Sequence, residues 1–181
     1  MYRNKLLNLL SDYALKYPNE KNIVKRFINF INENENCFNR NLLNGHITGS
    51  AWVLNNNKTS VLLTHHKKLH KWLQLGGHAD GNSDILNVAL KEVYEESGLT
   101  NLEIVSNRIF DLDIHSIPAR KNEPEHYHYD VRFLFKTNGN QKFIVSKESF
   151  SLRWINLNEV HKLTNENSII RMVNKTFEFY Y

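Results

Sequence analysis

The sequence predicts an α/β domain in which a mixed β-sheet lies between helices, with a helical extension before it. Two observations support this prediction. From about residue 44 to residue 180, short runs of β-branched and aromatic residues, bounded by turn residues, alternate with segments of helical periodicity. The first 40 residues show helical periodicity alone. We therefore expect an extension over residues 1–40 and a main domain over residues 44–180.

The extension contains two amphipathic segments. Residues 2–17 carry leucines and Tyr13 at helical spacing, and Pro18 ends that pattern. A second helix follows with Phe27 among its apolar residues, and the mostly polar residues 32–41 are predicted as a linker. The apolar faces of both helices need a partner, either the main domain or a second subunit, so a homodimer is one of two open alternatives.

The main domain begins with a predicted hairpin. Residues 47–54 and 60–64 are its strands, and residues 55–58 form the turn. A short apolar run then leads into Gly76 and Gly77. The later elements follow from the same rules, namely strands over residues 102–117, 127–135, 141–145 and 150–155, a hairpin turn over 137–140, a short helix over 156–163 and a terminal helix over 168–177.

A central helix over residues 84–97 carries the most informative pattern, with Ser83 predicted as its N-cap and Gly98 as its stop. Glu92, Glu95 and Glu96 stand at positions i, i+3 and i+4, which share one face of a helix. Three carboxylates on one face repel each other, and grouped hard oxygen ligands suit Mg²⁺ or Mn²⁺. A solvated helical face is the simpler alternative, since glutamate favours helices.

Residues 77–99, GHADGNSDILNVALKEVYEESGL, resemble the Nudix box. Gly77 takes its opening glycine, and the three glutamates take its metal-binding positions. Two positions depart from the pattern, because Lys91 replaces an arginine and Ser83 replaces a glutamate. The resemblance implies Mg²⁺- or Mn²⁺-dependent hydrolysis of a phosphoanhydride in a nucleoside diphosphate linked to another moiety. It also implies that the Gly77 carbonyl joins Glu92, Glu95 and Glu96 as a metal ligand.

Residues around the box are candidates for substrate binding. A basic stretch over residues 65–71 precedes the glycines, and cationic side chains attract phosphate. The Trp-Leu-Gln-apolar-Gly-Gly-His segment, together with residues 115–120 and 126–130, resembles one bacterial subgroup of Nudix proteins. In residues 126–130, alternate side chains would share a face of a strand. The candidates are Lys71, His78, Arg120, Glu123, Glu125, His126 and His128.

The composition argues against nucleic-acid binding, a membrane span and an internal disulfide. The net charge of +4 is too small to indicate a nucleic-acid binder. No run of about 18 apolar residues is present and the N-terminus does not resemble a signal peptide, so we expect a cytoplasmic protein without a membrane span. The single cysteine, Cys37, excludes an internal disulfide.

Two competing functions remain on the same fold. One is a non-hydrolytic nucleotide-binding or regulatory module, which Ser83 and Lys91 favour. The other is the isopentenyl-diphosphate isomerase branch, which uses a cysteine near the metal. Cys37 precedes the box by many residues, which disfavours that branch.

Overall fold

The computed structural model describes residues 2–119, 124–139 and 142–180. Four α-helices and eight β-strands make up this part of the chain, with short 3-10 helices at Pro18–Glu20 and Leu157–Lys162. In chain order the elements are α1 (Asn4–Lys16), α2 (Lys21–Glu33), β1 (Gly45–Leu54), β2 (Ser60–His66), β3 (Lys71–Leu73), β4 (Leu75–His78), α3 (Ile85–Ser97), β5 (Leu102–Ile104), β6 (Asp111–Ile117), β7 (His126–Thr137), β8 (Ser149–Asn156) and α4 (Asn167–Tyr180).

The strands form one mixed sheet with β1 near its centre. β1 pairs in parallel with β7 along its whole length and antiparallel with β4 and the start of β2. β2 continues the sheet to β3 and β8, and β7 continues it to β5 and β6. The parallel pair brings together two strands that are far apart in the sequence.

Alternate side chains of β1 enter two cores on opposite faces of the sheet, because successive side chains of a strand point to opposite sides. Ile47, Ala51 and Val53 lie in the core that includes residues of α1, α2 and α3. Trp52 and Leu54 lie in the core that includes residues of α4. The predicted architecture, a mixed sheet between helices with an N-terminal helical extension, is confirmed.

The extension packs on the sheet. Leu10 and Phe27 are fully buried in the core that contains β1, and the ring of Phe30 stacks on Tyr129 of β7 with 3.9 Å between centroids. In the segment predicted as a linker, Cys37 and Phe38 are also buried. The division of the chain at residues 40–44 into two units stays a prediction.

Three local predictions were wrong. Residues 102–117 form two strands, because the ladder to β7 is interrupted between the hydrogen bonds that the Val105 and Phe110 amides donate to β7 carbonyls. Residues 142–145 are not a strand, since the Ile144 amide donates to the Ser97 carbonyl at the end of α3 (2.7 Å); residue 141 lies outside the described residues. The N-cap of α3 is Asp84, whose side chain accepts a hydrogen bond from the Asn87 amide.

Among the helices in the described part of the chain, none has the length and apolar character needed to cross a membrane.

Candidate active site

The position of α3 is set by its close packing on β1. Its residues Val88, Ala89 and Val93 are buried. Gly49 of β1 lies where a Cβ atom would be 2.9 Å from the Ile85 carbonyl oxygen, so a glycine is needed for this approach. At the other end, Gly98 has a φ of 68° and ends the helix in the left-handed conformation that glycine adopts readily.

Two of the three glutamates of α3 meet the glycines of β4. The Gly76 amide donates a hydrogen bond to Glu96 Oε2 at 3.0 Å, and Glu96 is only 7% exposed. The Glu92 carboxylate lies against Gly77, where a Cβ atom would be 2.6 Å from it. Glu95 is more exposed, and its Oε1 lies 3.1 Å from Lys91 Nζ. The structure therefore places all three glutamates on α3 and two of them against the glycine strand.

The pKa values of Glu92 and Glu96 indicate too little positive charge around these carboxylates. Burial, and then the charge of Glu95, raise the pKa of Glu92 to about 7, although Lys91 acts in the opposite direction. Burial also raises the pKa of Glu96 to about 8, against the effect of its hydrogen bond from Gly76. Such raised pKa values mean that ionising both carboxylates costs free energy, which a bound cation would recover.

A divalent ion such as Mg²⁺ or Mn²⁺ fits these residues. Carboxylate and carbonyl oxygens are the hard ligands that these ions prefer. The two raised pKa values show carboxylates gathered without enough compensating charge. The residues that would hold the ion are Glu92, Glu95, Glu96 and, through its carbonyl, Gly77.

The loop between β4 and α3 is tied to the N-terminal part of the chain. Arg40 forms a two-pronged ion pair with Asp80, which has a φ of 49°. The Gly81 amide donates to the Phe38 carbonyl at 2.9 Å, and Lys5 Nζ lies 2.8 Å from Asp84 Oδ2. Residues of the extension and of the following segment thus hold the loop in which Ser83 replaces the glutamate of the Nudix pattern.

The remaining sequence candidates are spread over three places. Lys71 Nζ lies 2.8 Å from Glu166 Oε1, and Glu125 accepts a hydrogen bond from Ser116 at 2.7 Å. His78, His126 and His128 lie close together on the sheet, and their geometry is described below. Arg120 and Glu123 fall outside the described residues. The substrate-binding roles of all of these residues stay predictions.

Sequence reasoning missed two residues. Glu148, in the loop before β8, lies near enough to raise the pKa of both Glu92 and Glu96. It gives no signal in the sequence, because only the fold brings its loop to α3. His46 stands at the start of β1 and faces His128 across the parallel pair. A correct prediction of that strand pairing would have found it.

A mixed sheet between helices, with glutamates of α3 beside the glycines of β4, is typical of a class of proteins, the hydrolases that act on diphosphate linkages. The chain belongs to the NUDIX family, since the model of the NUDIX domain matches residues 46–175. It is accordingly an enzyme of the Nudix pyrophosphohydrolase type. No curated protein matches the sequence.

Solved structures of Nudix proteins share the fold. An Ap4A hydrolase from C. elegans superposes with a TM-score of 0.60 at 19% identity, covering 74% of this chain and 96% of that one. A NUDIX-family hydrolase from Clostridium perfringens gives 0.53 at 24%, covering 76% and 99%. The NUDIX domain of Shewanella oneidensis NrtR, complexed with ADP ribose, gives 0.51 at 15%, covering 75% and 88%. At such identities the likeness establishes the fold.

Proposed function

We propose that the protein hydrolyses a phosphoanhydride bond in a nucleoside diphosphate linked to another moiety, with Mg²⁺ or Mn²⁺ as cofactor. The observation that carries this proposal is the packing of the half-buried Glu92 and the buried Glu96 against Gly76 and Gly77, with the pKa of Glu92 raised to about 7 and that of Glu96 to about 8. Two carboxylates whose ionisation costs free energy, beside two glycines, form a site for a cation and a phosphate.

Each residue of the site would have a distinct role in this reaction. Glu92, Glu95, Glu96 and the Gly77 carbonyl would hold the ion, which supplies charge stabilisation at the attacked phosphorus and the leaving oxygen. The absence of side chains at Gly76 and Gly77 lets the backbone approach the diphosphate closely. Glu148 is a carboxylate near the cluster and outside the ligand set, so it is the candidate that accepts the proton of the attacking water.

The substrate class draws support from the names of two proteins that share the fold. One hydrolyses Ap4A and the other is complexed with ADP ribose, and each ligand contains a nucleotide joined through phosphates. We therefore expect the substrate to be of this general type. A homodimer and a cytoplasmic location stay predictions.

A hydrolysis screen tests the proposal. The protein would be incubated with nucleotide sugars, dinucleoside polyphosphates, NADH, ADP-ribose and nucleoside triphosphates, first with Mg²⁺ and then with Mn²⁺. We expect turnover of one class, lost by at least about 100-fold in the Glu95→Gln/Glu96→Gln variant, since these residues would hold the charge that stabilises the transition state. A matched variant, Glu33→Gln/Glu35→Gln, changes two exposed glutamates of the extension and should keep full activity.

A second candidate function is non-hydrolytic nucleotide binding. Lys91 favours it, because its contact in this structure is a single ion pair with the exposed Glu95, where the family pattern has an arginine. No turnover across the panel, combined with a nucleotide that raises the melting temperature, would replace the hydrolase proposal with this one.

A further inference from the structure

A cluster of histidines lies on the sheet apart from the carboxylates. His46 is the second residue of β1, His78 is the last residue of β4, and His128 lies in β7 opposite His46. Their ring centroids are 4.8 Å apart for His46 and His128, 5.0 Å for His46 and His78, and 5.1 Å for His78 and His128. Each imidazole offers one ring nitrogen, and these three nitrogens all lie within 4.8 Å of one another.

Three ring nitrogens of this cluster are buried without a hydrogen bond of regular geometry among the described residues. They are Nδ1 and Nε2 of His46, which is 3% exposed, and Nε2 of His128. Burying a polar atom without a partner costs free energy, so a cluster of such atoms in a well-packed sheet needs a reason. A ligand that accepts the lone pairs of these nitrogens would offset this cost.

Two of the three histidines, His46 and His128, are held in the neutral form that binds metals. Burial, and then the neighbouring His78 and His126, lower the pKa of His46 to about 4, although hydrogen bonding with the Leu42 backbone acts in the opposite direction. Burial, and then His46, lower the pKa of His128 to about 2. A neutral imidazole keeps a free lone pair on one nitrogen and is the commonest protein ligand of transition metals.

Two further histidines, His126 and His115, lie beside this cluster. The ring of His126 lies 5.0 Å from that of His46, and its Nδ1 lies 2.8 Å from the Pro124 carbonyl, which orients the ring. The ring of His115 lies 5.5 Å from that of His128, and its Nδ1 lies 3.1 Å from Asp113 Oδ2. Hydrogen bonds of this kind, to a carbonyl or a carboxylate, fix histidine rings around metal sites.

The histidines and the glutamates occupy opposite sides of β4. His78 pairs with Thr48, and its side chain shares the face of His46, whereas Gly77 faces Glu92 of α3. The two clusters also differ in chemistry, since imidazole nitrogens prefer Zn²⁺ and related transition metals and carboxylate oxygens prefer Mg²⁺. One metal would not serve both equally well.

We propose that His46, His78 and His128 form a Zn²⁺ site, separate from the carboxylate site, whose fourth position is taken by water or a ligand. A Zn–N bond of about 2.0 Å requires nitrogens roughly 3.3 Å apart in a tetrahedron. The three nitrogens therefore need to close by about 1.5 Å at most, which small rotations of the imidazoles provide. The site does not depend on the proposed hydrolysis.

The test is metal binding with no assay of activity. The full chain, freed of metal by a chelator, would be titrated with Zn²⁺ in the presence of excess Mg²⁺, with a chromophoric chelator as competitor. We expect one Zn²⁺ per chain. Co²⁺ bound in its place should show the strong visible absorption of a tetrahedral nitrogen site, in contrast to the weak absorption of an octahedral oxygen site.

Variants identify the ligands. His78→Gln and His128→Gln should each weaken Zn²⁺ binding by more than the roughly 10–100-fold that outer-shell changes cause. His161→Gln alters an exposed histidine on the 3-10 helix, and Glu95→Gln/Glu96→Gln alters the carboxylate site, so both should keep full affinity. Circular dichroism melting would confirm that each variant folds.

Three results would overturn the proposal. The first is Zn²⁺ affinity that persists in both histidine variants. The second is its loss in the glutamate variant, which would assign the ion to the carboxylates. The third is an octahedral Co²⁺ spectrum in the unaltered chain, a result that needs no variant to fold.

Discussion

Two groups of carboxylates that are buried or half-buried differ in whether a cation pairs with them. In the first, which we call the ionic network, Asp111 and Asp130 meet the cations Arg132, Arg171 and Lys175. Arg132 Nε lies 2.7 Å from Asp130, and both Arg171 Nε and Lys175 Nζ lie 2.8 Å from Asp111. Burial alone would raise the pKa of Asp111, but the hydrogen bond from Arg171 and the charges of Arg132 and Lys175 lower it below its usual value.

The second group is the pair Glu92 and Glu96. Glu96 is buried and Glu92 is half-buried, so both are less enclosed than Asp111, yet burial and neighbouring carboxylates raise the pKa of Glu92 to about 7 and that of Glu96 to about 8. Cations of the chain pair with the carboxylates of the network, whereas none of the described residues forms an ion pair with Glu92 or Glu96, and only the charge of Lys91 favours ionisation of Glu92. The difference teaches that burial of a charge does not mark a functional site, whereas burial without compensation does.

The ionic network has a structural role, because it joins elements distant in the sequence. Asp111 is on β6, Arg132 on β7 and Lys175 on α4. Lys175 Nζ also lies 2.7 Å from Glu20 Oε1, and hydrogen-bonds to Tyr13 Oη, so the network reaches the extension. The helical extension is thus joined to the C-terminal helix by buried polar contacts in addition to its apolar packing.

The largest expected loss of unfolding free energy comes from removing a cation of the ionic network. Arg132→Met would leave Asp130 and Asp111 buried with fewer cations, and breaking a buried ion pair on one side costs about 3–5 kcal/mol of unfolding free energy. Urea unfolding followed by circular dichroism measures this loss. Arg26→Met, which changes an exposed arginine of α2, should stay within about 0.5 kcal/mol of the unaltered protein. A loss under about 1 kcal/mol for Arg132→Met would show that the network is not a stabilising feature.

A pH series tests the raised pKa values of Glu92 and Glu96. The folded-state pKa values of Glu92 and Glu96, about 7 and about 8, lie above the ordinary value, so the folded state holds more protons than the unfolded state. The stability that these groups contribute is therefore present at low pH and lost as pH rises through 7 and 8. Between pH 7 and pH 9, the metal-free protein should lose about 2 kcal/mol of unfolding free energy.

Controls separate the glutamates from other titrating groups. The Glu92→Gln/Glu96→Gln variant should lack this loss, because its amides do not ionise. Saturating Mg²⁺ should restore stability to the unaltered protein at pH 9, by about 2.7 kcal/mol at 100 times the dissociation constant. His46 and His128 titrate below this window, because their pKa values are lowered to about 4 and about 2. Equal pH slopes in the variant and the unaltered protein would contradict the raised pKa values.

Local signals predicted much of this architecture from the sequence. The helical spacing of the glutamates predicted that Glu92, Glu95 and Glu96 lie on one helix, and α3 carries them beside the glycines of β4; their role in binding a metal stays a prediction. Periodicity also placed α1, α2, α3 and α4. Such signals work where the residues that matter lie on the same element or on neighbouring ones.

Long-range contacts set the limits of sequence reasoning. His46 and His128 meet only because β1 and β7 pair in parallel, and Asp111 meets Lys175 only because α4 packs over the sheet. The sequence gives no local sign of either contact. Ile144 illustrates the same limit, since its amide bonds to the end of α3 in place of a neighbouring strand.

The smallest expected change in stability comes from a pair of glycine variants that separate site from scaffold. In Gly77→Ala the new Cβ would lie 2.6 Å from the Glu92 carboxylate, the movable end of a flexible side chain. The fold should lose less than about 1 kcal/mol, while displacement of Glu92 should weaken Mn²⁺ binding about tenfold or more. In Gly49→Ala the Cβ would lie 2.9 Å from the Ile85 carbonyl oxygen, so α3 itself must move, at a cost of about 1–2 kcal/mol.

The two measurements are a Mn²⁺ titration followed by electron paramagnetic resonance and urea unfolding of the same samples. Gly77→Ala should change mainly the first and Gly49→Ala mainly the second, because only the former substitution presses on a carboxylate without pressing on backbone. Unchanged Mn²⁺ affinity in Gly77→Ala would remove Glu92 and the Gly77 carbonyl from the proposed ligand set. The uncompensated charge of the pair would then need another explanation than a divalent ion.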